Sequence, residues 1–219
     1  MLNKSNSFVM LSFDFDGTIV DSMSLLEQNA VKVLKTYFNI PRTVARRAYR
    51  ISTGLPFKQQ VDIIVPNNSV SKKEAVKVFE KLKIYSMLKA PLFPEVHQVF
   101  ATLKKRHYKI AISSSSKISD IRAYCKRNKI EDLVNYILGY RPGFEKGRDH
   151  FNYLIKKEKI NKNNICFIGD SLNDMHRANR EGIYFIGRLG PMFNKSDFKG
   201  STVINNLNDL LQLLSKKSI

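Results

Sequence analysis

VMLSFDFDGT, Val9 to Thr18, is the stretch that decides the fold. Its first half is apolar and rich in strand-forming side chains, and it ends at Asp14 and Asp16 with the turn pair Asp16-Gly17 behind them. A short apolar run closing in a turn signal predicts a buried strand, Val9 to Phe15, that delivers two carboxylates to a loop. A second run of the same kind, Ile165 to Ile168, delivers Asp170, with Asp174 just beyond. Tyr108 to Ile112 is a third run and leads into four consecutive serines, Ser113 to Ser116.

Helical periodicity separates these runs. Apolar residues recur at helical spacing over Leu25 to Phe38, then over Thr43 to Ile51 and Phe57 to Ile64. Ser71 and Glu74 read as a capping box heading a helix that carries Val78, Leu82, Tyr85 and Leu88. Beyond Pro91 and Pro94, helices (Val96 to Leu103, Ile118 to Cys125, around Phe151 to Ile155, Leu207 to Leu214) alternate with strands (Tyr136 to Leu138, Ile183 to Ile186, Val203-Ile204). Alternation of this kind predicts an α/β fold: a Rossmann-like parallel sheet with helices on both faces. The all-helical stretch interrupts the first crossover, so it reads as a small helical cap, 21–90, inserted after the first strand of a core made of 1–20 and 91–219.

Composition sets broad limits. With 219 residues, 43% hydrophobic and 26% charged, the chain has the make-up of a globular protein with a sizeable core. No apolar run is long enough to span a bilayer, and Asp14 interrupts the N-terminal apolar stretch too early for a signal peptide, so a cytoplasmic location is expected. Cys125 and Cys166 offer neither a disulfide framework nor zinc spacing and read as small buried hydrophobes. The net charge of +18 is compatible with a nucleic-acid partner, an anionic substrate or lysine-rich solvated helix faces. The basic residues are spread along the polar sides of helical patterns, which favours the last reading and leaves nucleic acid possible but not favoured.

In an open parallel sheet, ligands bind at the carboxyl ends of the strands. Asp14, Asp16, the serine run, Lys146, Asp170 and Asp174 all fall at or near such ends. Carboxylates gathered in one crevice repel one another unless a cation joins them, and a small set of hard oxygen ligands suits Mg²⁺ completed by a phosphate. A lysine and serine hydroxyls would hold the phosphoryl oxygens.

The order of these motifs resembles the haloacid dehalogenase superfamily, in its phosphoglycolate phosphatase and β-phosphoglucomutase branch. Asp14-Phe-Asp-Gly-Thr18 resembles the first motif, the serine run the second, Lys146 the third and Gly169-Asp-Ser-Leu-Asn-Asp174 the fourth. The resemblance implies Asp14 as a nucleophile forming an aspartyl-phosphate and Asp16 as general acid and base. It implies Mg²⁺ held by Asp14, the Asp16 carbonyl and Asp170, with Asp174 orienting a metal-bound water or Lys146. Alignment with the family strand favours Ser114 as the second-motif hydroxyl, with Ser113 next. Lys146 is preferred over Arg141 as the third-motif cation, because a compact ammonium bridges carboxylates and a phosphate. An acid two residues after the nucleophile is the phosphatase form of the first motif. The implied reaction is hydrolysis of a small phosphorylated metabolite, with Ser113 and Ser115 as further substrate-binding candidates; in the helical stretch, Lys58 and Arg50 are candidates around the Thr53-Gly54-Leu55-Pro56 turn. Three alternatives are a β-phosphoglucomutase-type phosphotransferase, a polynucleotide phosphatase, and a non-enzymatic binding module. Ser115 or Ser116 also reads as the N-cap of the Ile118 helix, Ser171 as a helix N-cap and Asn173 as a turn or cap residue. The four histidines share no ligand spacing and read as surface or helix-face residues. No oligomeric state follows from the sequence.

Overall fold

The computed structural model describes residues 8–66 and 70–215. In chain order the strands are β1 (Met10–Phe13), β2 (Lys109–Lys117), β3 (Tyr136–Tyr140), β4 (Ile165–Gly169), β5 (Tyr184–Arg188) and β6 (Thr202–Ile204). The α-helices are α1 (Met23–Phe38), α2 (Arg42–Ser52), α3 (Phe57–Ile64), α4 (Val70–Lys89), α5 (Val96–Lys105), α6 (Ile118–Arg127), α7 (Arg148–Glu158), α8 (Leu172–Glu181) and α9 (Leu207–Ser215). The strands form one sheet in the order β3-β2-β1-β4-β5-β6, and every pairing is parallel.

Both faces of the sheet are covered. Leu11 and Phe13 of β1 point into a core shared with Val99 and Phe100 of α5, Ile121 and Tyr124 of α6 and Leu210 of α9. Met10, one residue out of phase, points to the opposite face, where Phe151 of α7 and Ala178 of α8 pack with Phe167 and Phe185. The two-residue period of a strand sorts the side chains into these layers. Helices α1 to α4 build a third core of their own, with Leu34, Tyr49, Val61, Ala75 and Phe79 at its centre and Phe57 stacked on Phe79.

The two chain crossings between this helical unit and the sheet are tied together. Asp21 N–H donates to the Pro91 carbonyl and Phe93 N–H to the Ile19 carbonyl, at 2.9 and 3.1 Å. Val20 and Leu92 form an antiparallel bridge. Among the described residues, no helix is long and apolar enough to cross a membrane.

Several expectations are corrected. β2 continues through the serines to Lys117, because its far end pairs with β3 across a shift in register. Of α8 the sequence pattern shows only the Ser171 cap: Leu172, Met175 and Ala178 mark its inner side, too thin a stripe for periodicity to register. Ser71 lies within the first turn of α4, and the residues that would cap that helix lie outside the described ones. Lys117, not Ser115 or Ser116, occupies the N-cap of α6. Ser171 does cap α8, accepting from Asp174 N–H, and both cysteines are buried.

Candidate active site

The strand order reverses between β1 and β4, and this switch point opens the crevice in which an α/β sheet binds ligands. Asp14 stands at the end of β1, with its N–H donating to the Ile168 carbonyl of β4 at 2.8 Å. Asp170 follows β4, and Asp174 comes from the first turn of α8. One carboxylate oxygen from each of Asp14, Asp170 and Asp174 lies within 4.8 Å of the other two, and all three residues are buried. The loop after Asp16 is pressed onto this group. Gly17 has φ of 82°, and a Cβ on it would stand 2.1 Å from Asp170 Oδ2, so only glycine fits.

Lys146 supplies the counter-charge. Its ammonium is 2.6 Å from Asp14 Oδ1 and 2.6 Å from Asp174 Oδ1, with the side chain only 3% exposed. Burial alone would lower its pKa, but the fields of Asp14 and Asp174 reverse that and hold it charged. Burial pushes the Asp14 carboxyl up from 3.8 to about 6; Lys146 opposes the rise and Asp174 adds to it. Asp170 is driven well above the ordinary carboxylate value by burial and then by Asp14 and Asp174. Lys146, even with the Arg177 guanidinium 3.6 Å from Asp174, is too little charge for three buried carboxylates. An all-oxygen donor set with excess negative charge fits a small hard divalent cation.

The carboxylate of Asp16 lies apart from that group. It accepts from Ser22 Oγ at 2.7 Å and Ser116 Oγ at 3.3 Å, and Lys83 Nζ of α4 approaches to 3.7 Å. A cavity of about 60 Å³ separates the carboxylates from the helical unit. Asp14, Asp16, Ser114, Ser115, Lys146 and Asp170 line one side; Tyr49, Thr53, Gln60 and Lys83 supply polar groups on the other. Tyr49 is pushed far above its ordinary value by burial and then by Asp16 and Asp170, so it faces these carboxylates as a neutral phenol.

The structure thus brings Asp14, Asp16, Ser114, Ser115, Lys146, Asp170 and Asp174 together. Ser113 is turned beneath the site, its Oγ 2.8 Å from His150 Nδ1. Arg50 and Lys58 are not brought to the cavity. Arg50 forms a forked pair with Glu27, and Lys58, 78% exposed, pairs with Asp62 at 3.7 Å. Arg141 is exposed and stacks on Phe144, leaving Lys146 as the lysine of the site.

Four residues escaped sequence reasoning. His150 is fully buried, not a surface residue; burial and then the Lys146 charge lower it to about 4, so it is a neutral imidazole at Ser113. Lys83 turns inward from a helix face that reads as solvated. Arg188 packs over the Phe93 ring, pairs with Glu95 at 3.4 Å and donates to the Gly17 carbonyl at 3.2 Å. Arg177 reaches the Gly54 carbonyl at 2.8 Å. Each contact joins residues far apart in sequence, so no local spacing signals it.

Residues 11–188 match the model of the haloacid dehalogenase-like hydrolase family. The chain belongs to that family. It is a hydrolase resembling the phosphoglycolate phosphatases: that of Haemophilus influenzae (strain 86-028NP) is 23% identical over 199 residues, 84% of this chain and 86% of the relative. That of Mannheimia succiniciproducens is 22% identical over 230 residues, 96% of this chain and all of the relative. Two solved structures share the fold. A hydrolase from Pseudomonas syringae superposes with a TM-score of 0.81 at 21% identity, covering 95% of this chain and 98% of that one. CbbY from Rhodobacter sphaeroides, solved in complex with phosphate, gives a TM-score of 0.74 at 15% identity, covering 93% and 96%.

Proposed function

We propose that this chain is a Mg²⁺-dependent phosphatase that hydrolyses a small phosphate monoester through a phosphorylated Asp14. The observation that carries the reading is the Asp14 carboxylate, held at 2.6 Å by a buried lysine and opening onto a cavity that Asp16 also lines. An Asp14 oxygen attacks phosphorus and the bond to the leaving oxygen breaks; Asp16 gives that oxygen its proton. Asp16 then takes a proton from the water that cleaves the acyl phosphate, releasing phosphate and restoring Asp14. Lys146 offsets the repulsion between Asp14 and the incoming phosphoryl oxygens, and the Ser114 hydroxyl orients them. Asp14, Asp170 and the Asp16 carbonyl would hold Mg²⁺, with Asp174 behind them; the ion would supply charge for the phosphoryl oxygens.

Residues 21–90 act in this reading as a cap that excludes water from the transfer step, resting on 1–20 and 91–219 as the core. The size of the cavity supports a small substrate. About 60 Å³ is several times the roughly 10–15 Å³ that a single water needs, which suits a phosphoryl group with a few further atoms. Phosphoglycolate, named in the relatives, is a compound of that size.

The test is phosphate release from a panel of phosphorylated metabolites with and without EDTA, using Asp14→Asn as control. Release that requires Mg²⁺ and Asp14 supports the reading. Metal-loaded, folded protein that releases phosphate from no monoester refutes it.

A further inference from the structure

Thr53, Gly54 and Leu55 form the turn between α2 and α3, and this turn reaches across to the start of α8. Asn173 Nδ2 donates to the Thr53 carbonyl at 2.6 Å, and Arg177 Nη1 donates to the Gly54 carbonyl at 2.8 Å. Ser115 Oγ donates to the same Gly54 carbonyl at 3.4 Å. The fit is close: Gly54 has φ of 92°, and a Cβ there would stand 2.5 Å from Ser171 Oγ and 3.1 Å from Asn173 Cβ.

Arg177 has a second neighbour. The same Nη1 lies 3.6 Å from Asp174 Oδ1, the oxygen that Lys146 Nζ approaches at 2.6 Å. One guanidinium nitrogen therefore stands between a main-chain carbonyl of the helical unit and the carboxylate that anchors the lysine beside Asp14. Nη1 carries two N–H groups, so while the turn is seated the Gly54 carbonyl takes one and holds the guanidinium charge beside Asp174 Oδ1. When the turn lifts, the guanidinium loses the acceptor that keeps it there. Asp174 then loses one of the two cations that fix it, and Lys146 is no longer held in register with Asp14.

We propose that Arg177 is a positioning residue that couples seating of the 53–55 turn to placement of Lys146 against Asp14. Asn173 is the second half of the clasp, holding the turn without touching Asp174. The effect on turnover rests on the phosphatase reading above; the effect on the turn does not.

The test uses the full chain with Arg177→Met, which keeps the aliphatic stem lying against Gly147, together with Arg177→Lys, Asn173→Ala and the double variant Arg177→Met/Asn173→Ala. Hydrogen exchange is followed at the amides of Thr53 and Leu55 and, as an internal standard, in β4. Turnover is measured in parallel with a simple aryl phosphate. Arg177→Met and Asn173→Ala are each expected to raise exchange in the turn roughly tenfold or more, the scale of one hydrogen bond made or assisted by charge, with β4 unchanged. Each lowers kcat. Adding Asn173→Ala to Arg177→Met lowers kcat no further, because the residue that senses the turn is already gone, and Arg177→Lys restores part of the rate. Unchanged exchange in the turn overturns the proposal, as do kcat losses that simply multiply in the double variant. Should the wild-type chain release no phosphate, the phosphatase reading falls while exchange still decides the clasp.

Discussion

Removing the charge of Asp14 should stabilise the metal-free protein, and only above a defined pH. In the folded chain burial raises this carboxyl from 3.8 to about 6. Between those values the folded state binds more protons at Asp14 than the unfolded state does, so stability falls as pH rises through the window. The cost is absent below about pH 3 and complete above about pH 7. At ~1.4 kcal/mol per pH unit, the rise from 3.8 to about 6 amounts to about 3 kcal/mol. Asp14→Asn cannot titrate and escapes it. The assay is urea denaturation in EDTA from pH 4 to 8 for wild type and variant. Asp170 also loses the field of Asp14 in the variant, which adds to the difference in the same direction. The difference should grow by about 2.5 kcal/mol in favour of the variant across this range, and saturating Mg²⁺ should shrink it by stabilising the wild type. A difference that does not change with pH, or that grows in favour of the wild type, would refute the reasoning.

Three further outcomes are expected. Lys146→Met removes the ammonium shared by Asp14 and Asp174 and should cost roughly 3–5 kcal/mol at neutral pH without metal, and less near pH 4 where the carboxyls take up protons; denaturation at both pH values checks it. Gly17→Ala places a Cβ 2.1 Å from Asp170 Oδ2, so turnover should fall by about 100-fold and calorimetric titration should show weaker Mg²⁺ binding. Arg188→Met strands the Glu95 carboxylate and releases the Gly17 carbonyl, and a loss of roughly 3 kcal/mol or more should be measured by thermal or chemical unfolding.

Legibility in the sequence followed the range of the interactions. β1 and β4 are buried on both faces, so Met10–Phe13, apart from Ser12, and Ile165–Gly169 read as apolar runs whose ends locate Asp14 and Asp170. Lys146 is legible because it stands between β3 and α7, in the place where the resemblance puts the third motif. The serines themselves were harder: Ser113 to Ser116 carry no hydrophobic pattern, and they continue β2 because of its pairing with β3, which the local sequence does not encode. Of α8 only the Ser171 cap is legible, because its inner side is narrow and its outer side is charged. Lys83 and Arg177 look like any other basic helix residue in a chain of net charge +18. Their roles come from carboxylates and carbonyls on other elements, which only the fold brings near.

The central claim is that Asp14 carries the phosphoryl group. Asp16→Asn removes the base that activates the hydrolytic water, so with Mg²⁺ and p-nitrophenyl phosphate, whose leaving group needs no proton, the acyl phosphate should accumulate. Acid quenching followed by intact-protein mass and peptide mapping reads it directly. One phosphoryl group on Asp14 in Asp16→Asn, and none in Asp14→Asn, is the result this mechanism requires. Phosphoryl transfer to Ser114, or turnover that persists in Asp14→Asn, would contradict it.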